Sequence, residues 1–248
     1  MKSISIKNLG KRFRRSFRGD EGILYRLFSI FKTKEKFEVL RNISFDLDSG
    51  ETVGVIGRNG SGKSTLLKTI AGIYLFDEGS MVINGSVDYL SGFGHGLQKR
   101  LTMRENIYLM GLLRGLCKER IEELFEEIVD FSGLRKFLDS KVYQLSTGML
   151  NRLNFSIIIH CLINKNSEIL LIDEAFSSGV DLKFKEKFVL KMEELIASGS
   201  SVVFVSHNLR LIDRYCKRVI WLEDGRVIMD GNSEEVIAKY KGSNNDGR

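Results

Sequence analysis

Proline is absent from this 248-residue chain, and nothing functional follows from the absence. Cysteine is scarce: Cys117, Cys161 and Cys216 are scattered, odd in number and form no CxxC pair. That pattern excludes a disulfide framework and a cysteine zinc site, and reads as reduced thiols in the cytosol. Long apolar runs are missing too. A bilayer-spanning helix needs about 20 apolar residues, and the longest candidate, Phe155–Ile163, reaches about half of that. Met1 leads straight into KSISIKNL, a strand-like stretch, so no secretory leader is expected.

With 43% apolar residues the chain can bury a core, expected as one domain over 1–248 with sub-lobes. Its formal charge of +6 is confined to one place. Nine Lys or Arg and three acidic residues lie between Lys11 and Phe37, and the remainder of the chain is balanced. A protein of nucleic acid more often spreads a basic face over its fold, so no nucleic-acid partner is expected. A local basic patch suits an acidic membrane surface or a charged headgroup.

Alternation predicts strands at Ile4–Leu9 and Val39–Leu47, and Glu51–Ile56 is a short apolar strand entering a glycine-rich turn before a helix over Ser64–Ala71. Met81–Ile83 and Val87–Leu90 read as strands joined in a hairpin at Asn84-Gly85. The middle of the chain, about 98–165, reads as a helical subdomain. Thr102 and Glu105 form a capping box, and Glu119–Phe131 carries a helical stripe of Ile121, Leu124, Phe125, Ile128 and Val129. A further helix is expected from near Ser146 to about Ile163. Strands at Ile169–Ile172 and Val202–Val205 alternate with helices at Leu182–Ala197 and Asn208–Cys216, which implies a parallel sheet. Val219–Leu222 and Arg226–Met229 predict a hairpin about Asp224-Gly225, Asn232 or Ser233 caps a last helix, and the tail GSNNDGR is expected to fray.

Chemistry concentrates in a few places. Gly57, Asn59, Gly60, Ser61, Gly62, Lys63, Ser64 and Thr65 lie in a G-x-x-x-x-G-K-S match placed between a strand and a helix. Glycines there let backbone N–H groups close on phosphate oxygens, and the helix N-terminus adds positive partial charge. Lys63 suits the β- and γ-phosphates, and the Ser64 hydroxyl suits Mg²⁺. The run Ile169-Leu-Leu-Ile-Asp-Glu174 buries a strand and delivers two carboxylates at its end. Asp173 is placed to hold Mg²⁺ through water, and Glu174 to polarise an attacking water as general base. Together these describe a P-loop nucleoside triphosphatase, an α/β fold with a RecA-like core.

Three further segments resemble the ABC ATPase family. Gln144-Leu-Ser-Thr-Gly-Met149, before a helix, is similar to the family signature LSGGQ, with Thr147 and Met149 as departures. Ser178-Gly-Val-Asp181 resembles the family's D-loop, and Ser206-His207 its switch histidine. Taken alone, the first would be a helix cap and the last a structural histidine; the order of the motifs favours function. The resemblance covers Ile4 to about Tyr240. It implies an antiparallel β subdomain and a helical signature subdomain on the core. It also implies a homodimer in which two ATPs lie between subunits, with Ser146, Gly148 and Asp181 serving the opposite site. His207 would contact the γ-phosphate. The adenine-stacking aromatic would be Phe13, with Phe37 as the fallback. The family's metal-sensing glutamine has no clear counterpart: Ser91 is the wrong chemistry and Gln98 lies late.

The signature's Ser-Thr-Gly-Met, the segment Leu101–Gly115 and the segment Ser206–Val227 resemble the subfamily that exports polysaccharides on lipid carriers, such as O-antigen, capsule or teichoic acid. An ATP hydrolase is implied, using ATP and Mg²⁺. It would be peripheral on the cytoplasmic face of the plasma membrane and bound to two separately encoded transmembrane permease subunits. Exporters of drugs, ions or peptides are the alternative cargo class, and a non-transport ABC ATPase is a more distant one. The subfamily's insertion between its first two strands matches the basic segment 11–37. There Ile23, Leu24, Leu27, Phe28 and Phe31 share one helical face, expected to meet the membrane interface or a lipid headgroup or, with equal weight, to pack on the domain.

Overall fold

The computed structural model describes residues 1–14, 36–90, 96–165, 168–173 and 181–245. Two sheets organise them. In the smaller, β1 (Lys2–Arg14) runs antiparallel between β2 (Lys36–Asp48) and β4 (Glu78–Ile83). The larger has the order β5-β6-β7-β3-β8-β9, made of β3 (Thr52–Ile56), β5 (Val87–Leu90), β6 (Ile169–Asp173), β7 (Ser201–Val205), β8 (Arg218–Glu223) and β9 (Arg226–Asn232). All its pairings are parallel except the β8–β9 hairpin. The helices are α1 (Lys63–Ile70), α2 (Met103–Leu113), α3 (Lys118–Ser132), α4 (Thr147–Lys165), α5 (Leu182–Ala197), α6 (Leu209–Tyr215) and α7 (Ser233–Asn245). Among the described residues no helix is long and apolar enough to cross a membrane.

The continuous apolar runs of β6 and β7 follow from burial on both faces. On one face Ile169 and Leu171 pack with Leu66, Leu67 and Ile70 of α1 and with the small sheet's Ile4, Ile6 and Leu47. On the other, Leu170 and Ile172 pack with Phe155 and Ile159 of α4 and Phe184 and Met192 of α5. A third core joins α2, α3 and α4 through Met103, Ile107, Leu124, Ile128, Leu153 and Ile157. The predicted stripe on α3 is buried throughout. The capping box is formed at α2: Glu105 N–H donates to Thr102 Oγ1 at 3.1 Å, and Thr102 N–H donates to Glu105 Oε2 at 2.7 Å.

Three expectations are corrected. Asn84-Gly85 does not close a hairpin. Asn84 N–H and Nδ2 donate to Ser3 O and Lys2 O, both at 2.8 Å, which finishes β4 against β1. Ser86 N–H then donates to Glu168 Oε2 at 2.6 Å, and β5 joins β6 in the other sheet. The tail does not fray at Gly242, since α7 continues to Asn245. The basic segment is not one insertion from 11 to 37, because its ends extend β1 and β2 and pair at Phe13–Phe37. Two of its charges are spent within the fold: Lys11 Nζ lies 3.1 Å from Asp77, and Arg12 pairs with Glu78 and Glu38. The remainder of the segment, 15–35, on which an apolar helical face was expected, lies outside the described residues.

The β8–β9 turn has Asp224 at φ 44° and Gly225 at φ 74°, the two positive angles of a type I′ turn. Gly225 is also stitched inward. Its N–H donates to Ser61 O at 3.0 Å, and its carbonyl accepts from Arg41 N–H at 2.7 Å. A Cβ at Gly225 would collide with the Val39 carbonyl, whereas one at Gly231 meets nothing closer than 3.8 Å. Gly225→Ala is therefore expected to lower unfolding free energy by about 2–4 kcal/mol in urea melts. Gly231→Ala should change it by under about 1 kcal/mol.

Candidate functional site

The segment between β3 and α1 wraps around its own backbone. Gly57 sits so close to β8 that a Cβ would collide with the Leu222 carbonyl oxygen. Gly62, at φ 107°, is the residue before α1, and a Cβ there would press on Leu40 Cδ2 at 2.9 Å. No side chain fits at these positions, so the loop presents amides rather than bulk. Lys63 is 6% exposed, and its Nζ donates to Gly57 O at 2.7 Å and to Arg58 O at 2.8 Å. Ser61 Oγ is buried with no hydrogen-bond partner among the described residues. A buried hydroxyl without a partner costs about 1–3 kcal/mol, and a phosphate oxygen would meet that need. Asn59, Gly60 and Ser64 are exposed, and Thr65 is half-buried. The first turn of α1 carries no acidic residue to oppose an anion.

Strand register brings other elements to the same edge. Val205 of β7 is paired with Val55 of β3 on one side and with Asp173 of β6 on the other. The glycine loop, Asp173 and the Ser206-His207 turn thus leave the sheet side by side. Asp173 is half-buried and His207 is exposed. Asn208, next in the chain, caps α6 by accepting from Arg210 N–H at 3.1 Å. Glu174 and Ser178–Val180 lie outside the described residues.

Asp181, expected at the nucleotide, caps α5 within the chain, with Oδ1 accepting from Phe184 N–H at 2.9 Å. Its Oδ2 lies 3.2 Å from Arg152 on α4. The Phe184 amide first, and Arg152 after it, hold the carboxyl below its ordinary range. Ser146 and Gly148 stand at the start of α4. Ser146 is exposed, and its Oγ accepts from Met149 N–H at 3.3 Å. In one chain this pair is a helix entrance facing solvent.

Phe13 is half-buried between two rings. Phe37 lies 6.0 Å away, centroid to centroid, and Tyr74 meets it edge-on at 5.2 Å. Lys11 Nζ lies 5.2 Å from the Phe13 centroid. The two sequence alternatives, Phe13 and Phe37, are therefore one cluster, and Tyr74 is a third member that the sequence reading did not single out. Tyr89 was missed as well. It sits on β5 opposite Leu171, which places it on the same face as Asp173, two residues further along β6. Its hydroxyl is sealed from solvent, and burial first and the Asp173 carboxylate second push its pKa up. Among the described residues no cluster of three or more His, Cys, Asp or Glu side chains is arranged to hold a metal. A cation here would rest on Ser64, Asp173 and oxygens brought by a nucleotide.

The ABC transporter family model matches residues 40–177. A teichoic acids export ATP-binding protein of Lactococcus lactis subsp. lactis (strain IL1403) is 42% identical over 210 residues, covering 85% of this chain and 44% of that protein. Its counterpart in Bacillus anthracis is 41% identical, over 86% of this chain and 38% of that protein. The chain thus spans less than half the length of these two relatives. An O-antigen export system ATP-binding protein of Klebsiella pneumoniae is 38% identical, over 87% of this chain and 85% of that protein. Among solved structures, the ATP-binding subunit of an ABC transporter superposes with a TM-score of 0.71 at 24% identity, over 96% of this chain and 93% of that one. A dimeric ATP-binding cassette in a post-hydrolysis state with ADP and Pi gives a TM-score of 0.71 at 23% identity, over 93% of this chain and 98% of that one. These two establish likeness of fold.

Proposed function

Because the chain belongs to the ABC transporter family, we propose that it is the ATP-binding and ATP-hydrolysing subunit of an exporter of lipid-linked polysaccharide. The observation that carries this reading is the convergence at one sheet edge. A loop too tight for side chains at Gly57 and Gly62, with an unpartnered Ser61 hydroxyl, stands beside the carboxylate of Asp173. The cargo class is supported by relatives named for teichoic acids and O-antigen export.

In this mechanism the loop amides and Lys63 hold the triphosphate, with the Lys63 ammonium exchanging its loop carbonyls for phosphate oxygens. Ser64 and Asp173 would hold Mg²⁺, which, when bound, neutralises charge on the β- and γ-phosphates. Phe13 supplies the apolar surface for adenine. Glu174 accepts a proton from the attacking water, and His207 steadies the γ-phosphate. Two copies close head to tail, so that Ser146 and Gly148 of one copy complete the site of the other, with the α4 N-terminus directed at the anion. Closing and reopening move two membrane permease subunits between states, at the cytoplasmic face of the membrane. Basic residues from Arg14 onward, beyond those used in ion pairs by Lys11 and Arg12, provide charge for acidic lipid or a pyrophosphate headgroup.

The test is genetic. The gene is deleted and complemented with wild type or Glu174→Gln, and both surface glycan and intracellular lipid-linked glycan are measured. Loss of surface glycan with accumulation of the lipid-linked form, rescued by wild type alone, is the expected result. An unchanged glycan profile would overturn polysaccharide as cargo and turn attention to drugs, ions or peptides.

A further inference from the structure

Resting on the reading of Ser64 and Asp173 as the metal-holding pair, we infer that Tyr89 is a positioning residue for the metal: its hydroxyl donates to the Asp173 carboxylate and holds it in the orientation that binds the cation. The argument begins with register. Tyr89 pairs with Leu171 and Leu90 with Ile172, so β5 lies directly alongside the strand that ends in Asp173. Side chains two residues apart on a strand share a face, and diagonal neighbours across a ladder are within reach of long aromatic side chains. Leu171 faces α1, and the Tyr89 ring packs into that same core. The hydroxyl therefore points along the face of the sheet that carries the phosphate loop.

Burial sharpens the case. The Tyr89 oxygen is sealed from solvent and makes no hydrogen bond of good geometry among the described residues. A buried phenol that stays unpartnered costs about 1–3 kcal/mol, so it should be paired in the working complex. Asp173 is the carboxylate that strand register places on its face of the sheet, two residues beyond the Leu171 it pairs with. Carboxylates that ligate metals are themselves hydrogen-bonded, and those outer partners fix their orientation. Tyr89 offers a hydroxyl to the Asp173 carboxylate from the strand itself.

Tyr89→Phe removes one oxygen and keeps the ring, so the core contact survives. The measurement is the affinity of the purified chain for a non-hydrolysable ATP analogue, by calorimetry, with Mg²⁺ or Mn²⁺ and again in EDTA. The expected result is a roughly 10- to 100-fold higher metal concentration for half-maximal stimulation of binding. Affinity in EDTA should be unchanged. In an Asp173→Asn background the added Tyr89→Phe change should have no further effect on metal dependence. Equal loss with and without metal, or no change in either, would overturn the inference and leave Tyr89 as a packing residue. If the wild type bound the analogue equally well with and without metal, the reading of Ser64 and Asp173 would fail first, and the inference with it.

Discussion

Lys63→Ala is expected to lower ATP turnover by about 10²–10³-fold in a phosphate-release assay, the loss typical when one preorganised electrostatic donor is removed. The ammonium is already inside the loop, over the Gly57 and Arg58 carbonyls, so it need not be recruited from solvent when a triphosphate arrives. Its stem is enclosed, and the loop around it is pinned against β8 at Gly57 and against β2 at Gly62. A guanidinium is planar and broader than an ammonium, so Lys63→Arg should recover little. The alanine variant leaves two carbonyls without their donor, which costs about 1–3 kcal/mol. Unfolding is therefore measured alongside turnover. Turnover within tenfold of wild type in a folded Lys63→Ala protein would remove Lys63 from the mechanism.

The second large effect is expected at Glu174. Glu174→Gln keeps the side chain's size and removes its basicity. Hydrolysis should fall by about 10²–10⁴-fold, the usual contribution of a positioned general base, while nucleotide affinity is retained. ATP would then hold two copies together for longer than the wild type holds them. Gel filtration with MgATP should show a dimer in the variant and mostly monomer in wild type after turnover. Asp173, one residue earlier, should behave differently, since its loss weakens metal binding rather than the water's activation. A Glu174→Gln protein that hydrolyses ATP freely would assign the base elsewhere.

Much of this was legible in the sequence because the determining contacts are local. The run Ile169–Ile172 needs only its own composition to announce a strand buried on both faces, and the phosphate loop needs only its glycines between a strand and a helix. Thr102 and Glu105 signal a helix start through bonds three residues apart. What was misread depends on distant partners. Asn84-Gly85 has the composition of a hairpin turn, but Glu168 and the first residues of β1 capture its two sides for different sheets. The first strand was read only as far as Leu9 because its register shifts repeatedly between Ile6 and Arg12, which breaks the alternation that marks a strand. At the far end, Gly242 and its polar neighbours look like helix breakers. The helix persists because Val236 and Ile237 are buried and Tyr240 packs on Trp221 at 5.5 Å, so tertiary contact overrides propensity. Tyr89 carries no motif at all, and only strand pairing reveals its neighbour.

Helix α4 has a consequence for how the molecule comes apart. It gives Leu153, Ile157 and Cys161 to one interior and Phe155, Ile158, Ile159 and Leu162 to another. Opening either interior strips one side of the same helix, so partial unfolding of the signature region would expose the rear of the sheet as well. The amides of α4 should accordingly exchange with solvent only through near-global opening, among the slowest in the chain. The residues at its entrance, Ser146 to Gly148, lie outside both interiors and should exchange quickly. A rigid shaft with a quickly exchanging tip suits a segment that must be presented to another molecule without being reshaped by it.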